Sequence, residues 1–204
     1  MKTRKLILLA GAAALLCSCI PSVNPFYTEK DVVFDARLLG TWQEKGKPND
    51  PEIWKFEKSG TNVYHLTVWE PKNKHGQFDA HLFKLKKYYF LDIIPTDCDY
   101  SPDQAELVAA SMYPGHLLVR VSEFEPELKL AFFDFNWLQK YLEKNPKALA
   151  HHTEDKRIVL TASTRELQKF VLNHLVEGEL FAKPGEMIPK TGEAPPAPQP
   201  EEKQ

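Results

Sequence analysis

The stretch NVYHLTVWE (62–70) places Val63, His65, Thr67 and Trp69 on one side of an extended chain and Tyr64, Leu66 and Val68 on the other. Side chains two apart share a strand face, so this period of two predicts a half-buried β-strand rather than an amphipathic helix. The same reading applies to EIWKFE (52–57), FDAHLFKL (78–85), YYFLDII (88–94), HLLVRVSEF (116–124) and ELKLAFFD (127–134). Short corners separate the runs: Lys58-Ser59-Gly60-Thr61, Lys86-Lys87 and Glu125-Pro126. Runs this close together pair with their sequence neighbours as antiparallel hairpins. Gly40–Glu44 before them and Arg157–Thr161 after them supply a first and a last strand, about eight in all. Eight sequential antiparallel strands suit an up-and-down barrel or a strongly bent half-barrel.

Helices interrupt and finish this meander, so the fold class is mainly β, α+β by content. Ser101-Pro102-Asp103-Gln104 offers an N-cap, a proline at the first helical position and a capping box, predicting a short helix to about Ser111. Asn136 is read as the cap of WLQKYLEK, which Pro146 stops. Ser163 and Glu166 form a further capping box before Leu167, Phe170, Val171, His174 and Leu175, an apolar face that packs on the sheet. Gly178 is read as the stop of that helix.

The amino terminus reads as an address. Lys2, Arg4 and Lys5 precede eleven uncharged residues, Leu6 to Leu16. That run is too short to span a bilayer and has the pattern of a secretory signal. Leu16-Cys17-Ser18-Cys19 resembles the bacterial lipoprotein box, with small Ser18 directly before the cysteine to be modified. The resemblance implies cleavage after residue 18 and acylation of Cys19, giving a palmitate-type lipid anchor. Two or more acyl chains hold a protein stably on a membrane. Ile20, rather than Asp, follows the cysteine, which implies the outer membrane of a two-membrane envelope. The boundaries expected are a cleaved signal (1–18), a lipidated tether (19–33), one β-rich domain (34–182) and a tail (183–204). The tail KPGEMIPKTGEAPPAPQPEEKQ holds six prolines and no aromatic residue, and is expected to be disordered.

Removing Lys2, Arg4 and Lys5 leaves 23 Lys+Arg against 28 Asp+Glu, a net charge of −5 from Cys19 onward. A nucleic-acid partner would want a basic surface, so none is expected. Past residue 18 only Cys19 and Cys98 remain, and with Cys19 acylated the domain has no internal disulfide.

Gly40 and Trp42 stand two apart at the start of the first strand, in FDARLLGTW (34–42). Before an eight-strand meander, this Gly-x-Trp pair resembles the signature of the lipocalin (calycin) family. The resemblance implies a barrel whose tryptophan plugs one closed end beneath a basic side chain. Arg157, on the expected last strand, is the position that takes that role. The whole chain also resembles uncharacterised bacterial lipoproteins, which implies no activity.

Chemistry is sparse. There is no G-x-S-x-G elbow, HExxH helix or glycine-rich phosphate loop. Cys98 lies between Asp97 and Asp99, whose charges disfavour a thiolate. His151 and His152 are adjacent, so they project in different directions and read as a solvated loop. His65 and His174 sit among apolar neighbours. Asp79 and His81, two apart on one strand face, begin a metal-ligand pattern without a visible third ligand.

No catalytic residue, metal site or cofactor is therefore expected. The preferred function is a non-catalytic, membrane-anchored module that binds a small amphipathic ligand, or an envelope protein, through aromatic residues. Trp54, Tyr64 and Trp69, with Tyr88 and Arg120 as orienting polar groups, are the ligand-binding candidates, since an eight-strand barrel either fills with side chains or holds one small ligand. Two alternatives stay open: an envelope hydrolase or metal enzyme using Asp79 and His81, and a structural envelope factor without a pocket.

Overall fold

The structure, a computed structural model, describes residues 19–71, 74–96, 114–155, 157–175 and 180–190. Eight antiparallel strands close into a lipocalin-like barrel. They are β1 (Gly40–Glu44), β2 (Ile53–Lys58), β3 (Tyr64–Glu70), β4 (Lys74–Leu85), β5 (Tyr88–Pro95), β6 (Leu117–Glu123), β7 (Leu128–Phe132) and β10 (Gly185–Pro189). Their order round the barrel is β1-β10-β7-β6-β5-β4-β3-β2, with β2 returning to β1. Between β7 and β10 come helix α1 (Phe135–Lys144), the hairpin β8 (His151–Glu154) and β9 (Arg157–Leu160), and helix α2 (Thr164–His174). Among the described residues no helix is long and apolar enough to cross a membrane.

The period-two pattern sets the two faces of the barrel wall. Trp42, Trp54, Phe56, Tyr64, Leu66, Leu82, Leu91, Val119 and Leu128 point inward and form one buried cluster. Phe56, Tyr64, Leu66, Leu82, Leu91 and Leu128 are fully buried, so side chains fill the barrel axis. Outward residues of β4 to β7 are apolar as well: Phe83, Phe90, Leu118 and Ala131, with Phe133 just past β7, form a second buried cluster with Leu138, Leu142, Leu167, Phe170 and Val171 of the helices. A sheet apolar on both faces must be covered on both, and α1 and α2 cover the outer one.

The helices end where their side chains dictate. Asp134, not Asn136, caps α1, its carboxylate accepting the Trp137 N–H at 2.8 Å. The Ser163–Glu166 capping box of α2 forms as read, with Glu166 accepting from both the backbone N–H and the hydroxyl of Ser163. The proposed helix after Ser101, Gly178 and Cys98 lie outside the described residues.

Residues 19–33 are not a loose tether. Ile20 is 3 % exposed and Phe26 1 %, both within the outer core. The segment is a strap laid along the barrel. Ser22 exchanges backbone hydrogen bonds with His116 (both 2.9 Å), Asn24 donates to the Ala162 carbonyl, and the Val33 N–H donates to Leu82 at 2.8 Å. Further on, the Asp35 N–H donates to the Tyr64 hydroxyl, which donates back to the Asp35 carbonyl. Gly115 lies where the strap starts: a Cβ there would meet the Pro21 Cβ at 2.6 Å, so the close approach requires glycine.

The tail reading also needs correction at Gly185–Pro189, which is the strand that closes the barrel. Gln43 pairs with Ile188 on one side and Lys129 with Glu186 on the other. Prolines 184 and 189 flank or end it, where no ladder N–H is lost. The role expected of Arg157–Thr161 as the last barrel strand thereby falls to β10. Arg157–Leu160 pairs instead with His151–Glu154 in a separate two-stranded sheet. His151 and His152 are accordingly strand residues rather than a loop.

Candidate functional site

The two ends of the barrel differ. At one end, called here the base, β1 begins with Gly40, whose φ of 115° only glycine adopts readily. A 3₁₀ turn, Ala36–Leu38, lies across this end, and the Trp42 indole N–H donates to the Leu38 carbonyl at 2.9 Å. Trp42 is thereby buried, 3 % exposed, beneath that turn. Arg157 does not cover it: β9 stands outside the barrel, and Arg157 lines a surface depression with His152 and Glu154. The guanidinium at the base belongs to Arg37, 4.6 Å from the centre of the Phe124 ring and held by Asp35.

A second depression of about 430 Å³ opens at the base, lined by Arg37, Lys87, Tyr88, Tyr89, Arg120 and Phe124. Local sequence builds it. The Lys86-Lys87 corner joins β4 to β5 with Lys86 in the left-handed region, φ 56°, where glycine or asparagine is the easier residue. The strands then set Tyr88 beside Arg120, whose outward parity they share. The Arg120 guanidinium lies 5.8 Å and the Lys87 ammonium 5.5 Å from the Tyr88 ring centre. Lys84 stands 5.0 Å over Tyr89, whose ring meets Phe124 edge-on at 5.2 Å. Among the described residues Lys87 and Arg120 have no carboxylate partner; their contacts are the rings of Tyr88 and, for Arg120, Phe181. Positive charge over aromatic faces, open to water, favours an anion carrying apolar surface.

The other titratable cluster lies midway along the outer wall, beneath the strap. Asp92 is 0 % exposed. One carboxylate oxygen accepts the Phe26 N–H at 2.7 Å and the other lies 2.7 Å from His116 Nδ1. His81 faces Asp92 across β4 and β5, its ring stacked on Tyr27 at 4.6 Å. Burial lowers the His81 pKa and favours the neutral ring, while burial and the charge of Asp92 raise the Tyr27 phenol to about 12. Both Asp92 oxygens are engaged, one of them by the Phe26 amide, so this group clamps the strap to the wall. His65 stands opposite Asp79 across β3 and β4, and Asp79 shares the outer face with His81. Among the described residues no three His, Cys, Asp or Glu side chains are placed to hold a metal.

The five ligand-binding candidates do not converge. Trp54 and Tyr64 are inside the filled barrel, and Trp69 is outside it at the end opposite the base, 37 % exposed. Tyr88 and Arg120 do meet, in the basal depression. His174 is packed among rings, 4.6 Å from Phe170 and 4.7 Å from Tyr141.

No protein-family model, curated protein or solved structure matches the chain. Asp92, His116, Arg37, Lys87 and Phe124 were not singled out from sequence, although two signals were there: a carboxylate inside the apolar run YYFLDII, and a two-lysine corner where smaller residues are easier.

Proposed function

We propose that this protein is an envelope lipoprotein, acylated at Cys19, whose barrel serves as a non-catalytic module binding an amphipathic anion at the basal depression. The observation that carries the reading is the pair of cations, Lys87 and Arg120, without a carboxylate partner among the described residues and set against Tyr88, with Tyr89 and Phe124 alongside. The charged head of the ligand, phosphate or carboxylate, bonds to Arg120 and Lys87, and its first few methylenes lie on the rings. Because the barrel axis is filled, the apolar part of the ligand stays shallow, which favours short chains or fused rings.

The probe is dodecyl phosphate below its micellar concentration, titrated against the isotope-labelled chain from Cys19 onward and compared with dodecyl maltoside. Saturable shifts at Tyr88, Tyr89 and Arg120 with the phosphate only, weakened tenfold or more (about 1.4 kcal/mol) in Lys87→Ala/Arg120→Ala, are expected. Equal response to both detergents, or an undiminished response in the double variant, overturns the reading. Dodecanoate in the same assay separates carboxylate from phosphate preference.

A further inference from the structure

We infer that the barrel stands on its bilayer in a fixed pose, with the end opposite the base against the lipid headgroups and the basal depression turned to the aqueous compartment. The inference rests on the anchored reading of Cys19 and goes beyond it to orientation.

The path of the strap supplies the direction. Ser22 pairs with His116, next to the first residue of β6, at the end where β5 finishes and β2 begins. The Phe26 amide meets Asp92 midway, the Lys84 N–H donates to the Asp31 carbonyl further on, and Asp35 meets Tyr64 at the base. The strap therefore runs the length of the barrel, and Cys19 lies at its far end from the depression. At about 3.3 Å per residue, β5 and β6 separate the two by about 20 Å.

There is no slack to undo this. Ile20 is 3 % exposed and Ser22 is fully buried, so Cys19 alone stands between the proposed acyl chains and the folded body. A tether of one residue cannot let a barrel turn over.

The surface at that end agrees. The two large apolar side chains exposed among the described residues are Val23, next to Ser22, and Trp69, at the end of β3 across from Ile53. Both belong to the Cys19 end. An exposed tryptophan beside a lipid anchor suits the headgroup layer, where its ring is half solvated. Glu44, Glu52 and Glu70 point inward at this mouth by the alternation that buries Trp42, Trp54 and Val68. Glu44 is paired with Lys47 at 2.8 Å, and the polarity of this mouth disfavours entry of the acyl chains into the barrel. The anionic ligand then reaches the depression from solution or from an opposing surface, not from the bilayer that holds the anchor.

The test attaches the chain beginning at Cys19, with Cys98→Ala, to maleimide-bearing lipid in phosphatidylcholine nanodiscs. Two readouts are taken: quenching of tryptophan emission by brominated lipid, and paramagnetic broadening by gadolinium-chelate headgroups. Expected are quenching that disappears in Trp69→Phe, and strong broadening of the Val23 and Glu70 amides with Lys87 and Arg120 spared. A ten-residue Gly-Ser insertion between Cys19 and Ile20 should even out the broadening. Broadening at Lys87 as strong as at Glu70, or emission indifferent to brominated lipid, overturns the pose. The maleimide lipid supplies the anchor whether or not the cell acylates Cys19, which the intact mass of the native protein reads separately. The dodecyl phosphate titration reads the ligand site separately again.

Discussion

The carboxylate of Asp92 lies 2.7 Å from His116 Nδ1 and, through its other oxygen, holds the Phe26 amide at 2.7 Å. One buried side chain thus ties together two strands and the strap that leads to Cys19. With a total stability of about 5–15 kcal/mol typical of a domain, the loss of such a group is large.

Asp92→Leu leaves the Phe26 N–H and His116 without their acceptor, and should cost about 3–5 kcal/mol in urea unfolding. Asp92→Asn keeps one carbonyl acceptor and should recover part of that loss. A Leu variant within about 1 kcal/mol of the parent would show that the clamp is dispensable.

The closing strand predicts a sharp boundary for truncation. A chain stopped after Lys190 keeps β10 and the Lys190 N–H bond to the Thr41 carbonyl, and should unfold within about 0.5 kcal/mol of the full chain. One stopped after Lys183 exposes the edges of β1 and β7 and should aggregate or lose cooperative unfolding. Size-exclusion chromatography and circular dichroism compare the two.

Asp35 links the base to acid stability. The Arg37 guanidinium bonded to it holds its carboxyl below the usual aspartate range, against burial acting the other way. A depressed pKa in the folded state contributes stability above the unfolded value, about 3.9, and loses it as pH falls through the folded value. Arg37→Ala should therefore bring the Asp35 titration, followed by carboxyl NMR, back up. It should also shrink the fall in stability seen below about pH 4.

Cys19 in chain produced without acylation should be a slow nucleophile. Its surroundings raise the thiol pKa first by burial and then by the charges of Glu70 and Glu52, although the residue itself reaches the surface. Alkylation near neutral pH should lag a free cysteine, and Glu52→Gln/Glu70→Gln should recover a minor share of the rate, since burial is the larger cause. No change in the double variant would place those carboxylates elsewhere.

Tyr64 gives a fifth measurement, at the join of strap and barrel. Its hydroxyl accepts the Asp35 N–H at 2.6 Å and donates to the Asp35 carbonyl at 3.0 Å. Tyr64→Phe orphans both groups and should cost about 1–3 kcal/mol in chemical denaturation. A neutral variant would mean that water replaces the hydroxyl.

Much of the barrel was legible because its information is local. Alternation in NVYHLTVWE and its neighbours, the Lys86-Lys87 corner and the Ser163–Glu166 box each act within a few residues, and each forms where it was read. Gly40 and Trp42 were legible for the same reason, being two apart on one strand. Arg157 was not, because which strand closes the barrel depends on partners more than fifty residues away. The basal depression was half legible: Tyr88 and Arg120 were picked as polar groups on strands, and Lys87 and Phe124 adjoin those same strands, but β5 and β6 are brought together, with Arg37 from a distant turn, only by the fold.

Read alone, the amino-acid order settles which segments become strands, where the hairpins turn and which helices carry an apolar face, since backbone sterics and side-chain alternation act between near neighbours. Tertiary structure alone decided that a proline-rich tail supplies the eighth strand, that residues 20–35 lie down as a strap, and that an aspartate in an apolar run finds His116 and Phe26. Those outcomes turn on hydrogen-bonding groups left unpaired at a distant edge or buried on a distant face. No local pattern records which distant segment will satisfy them.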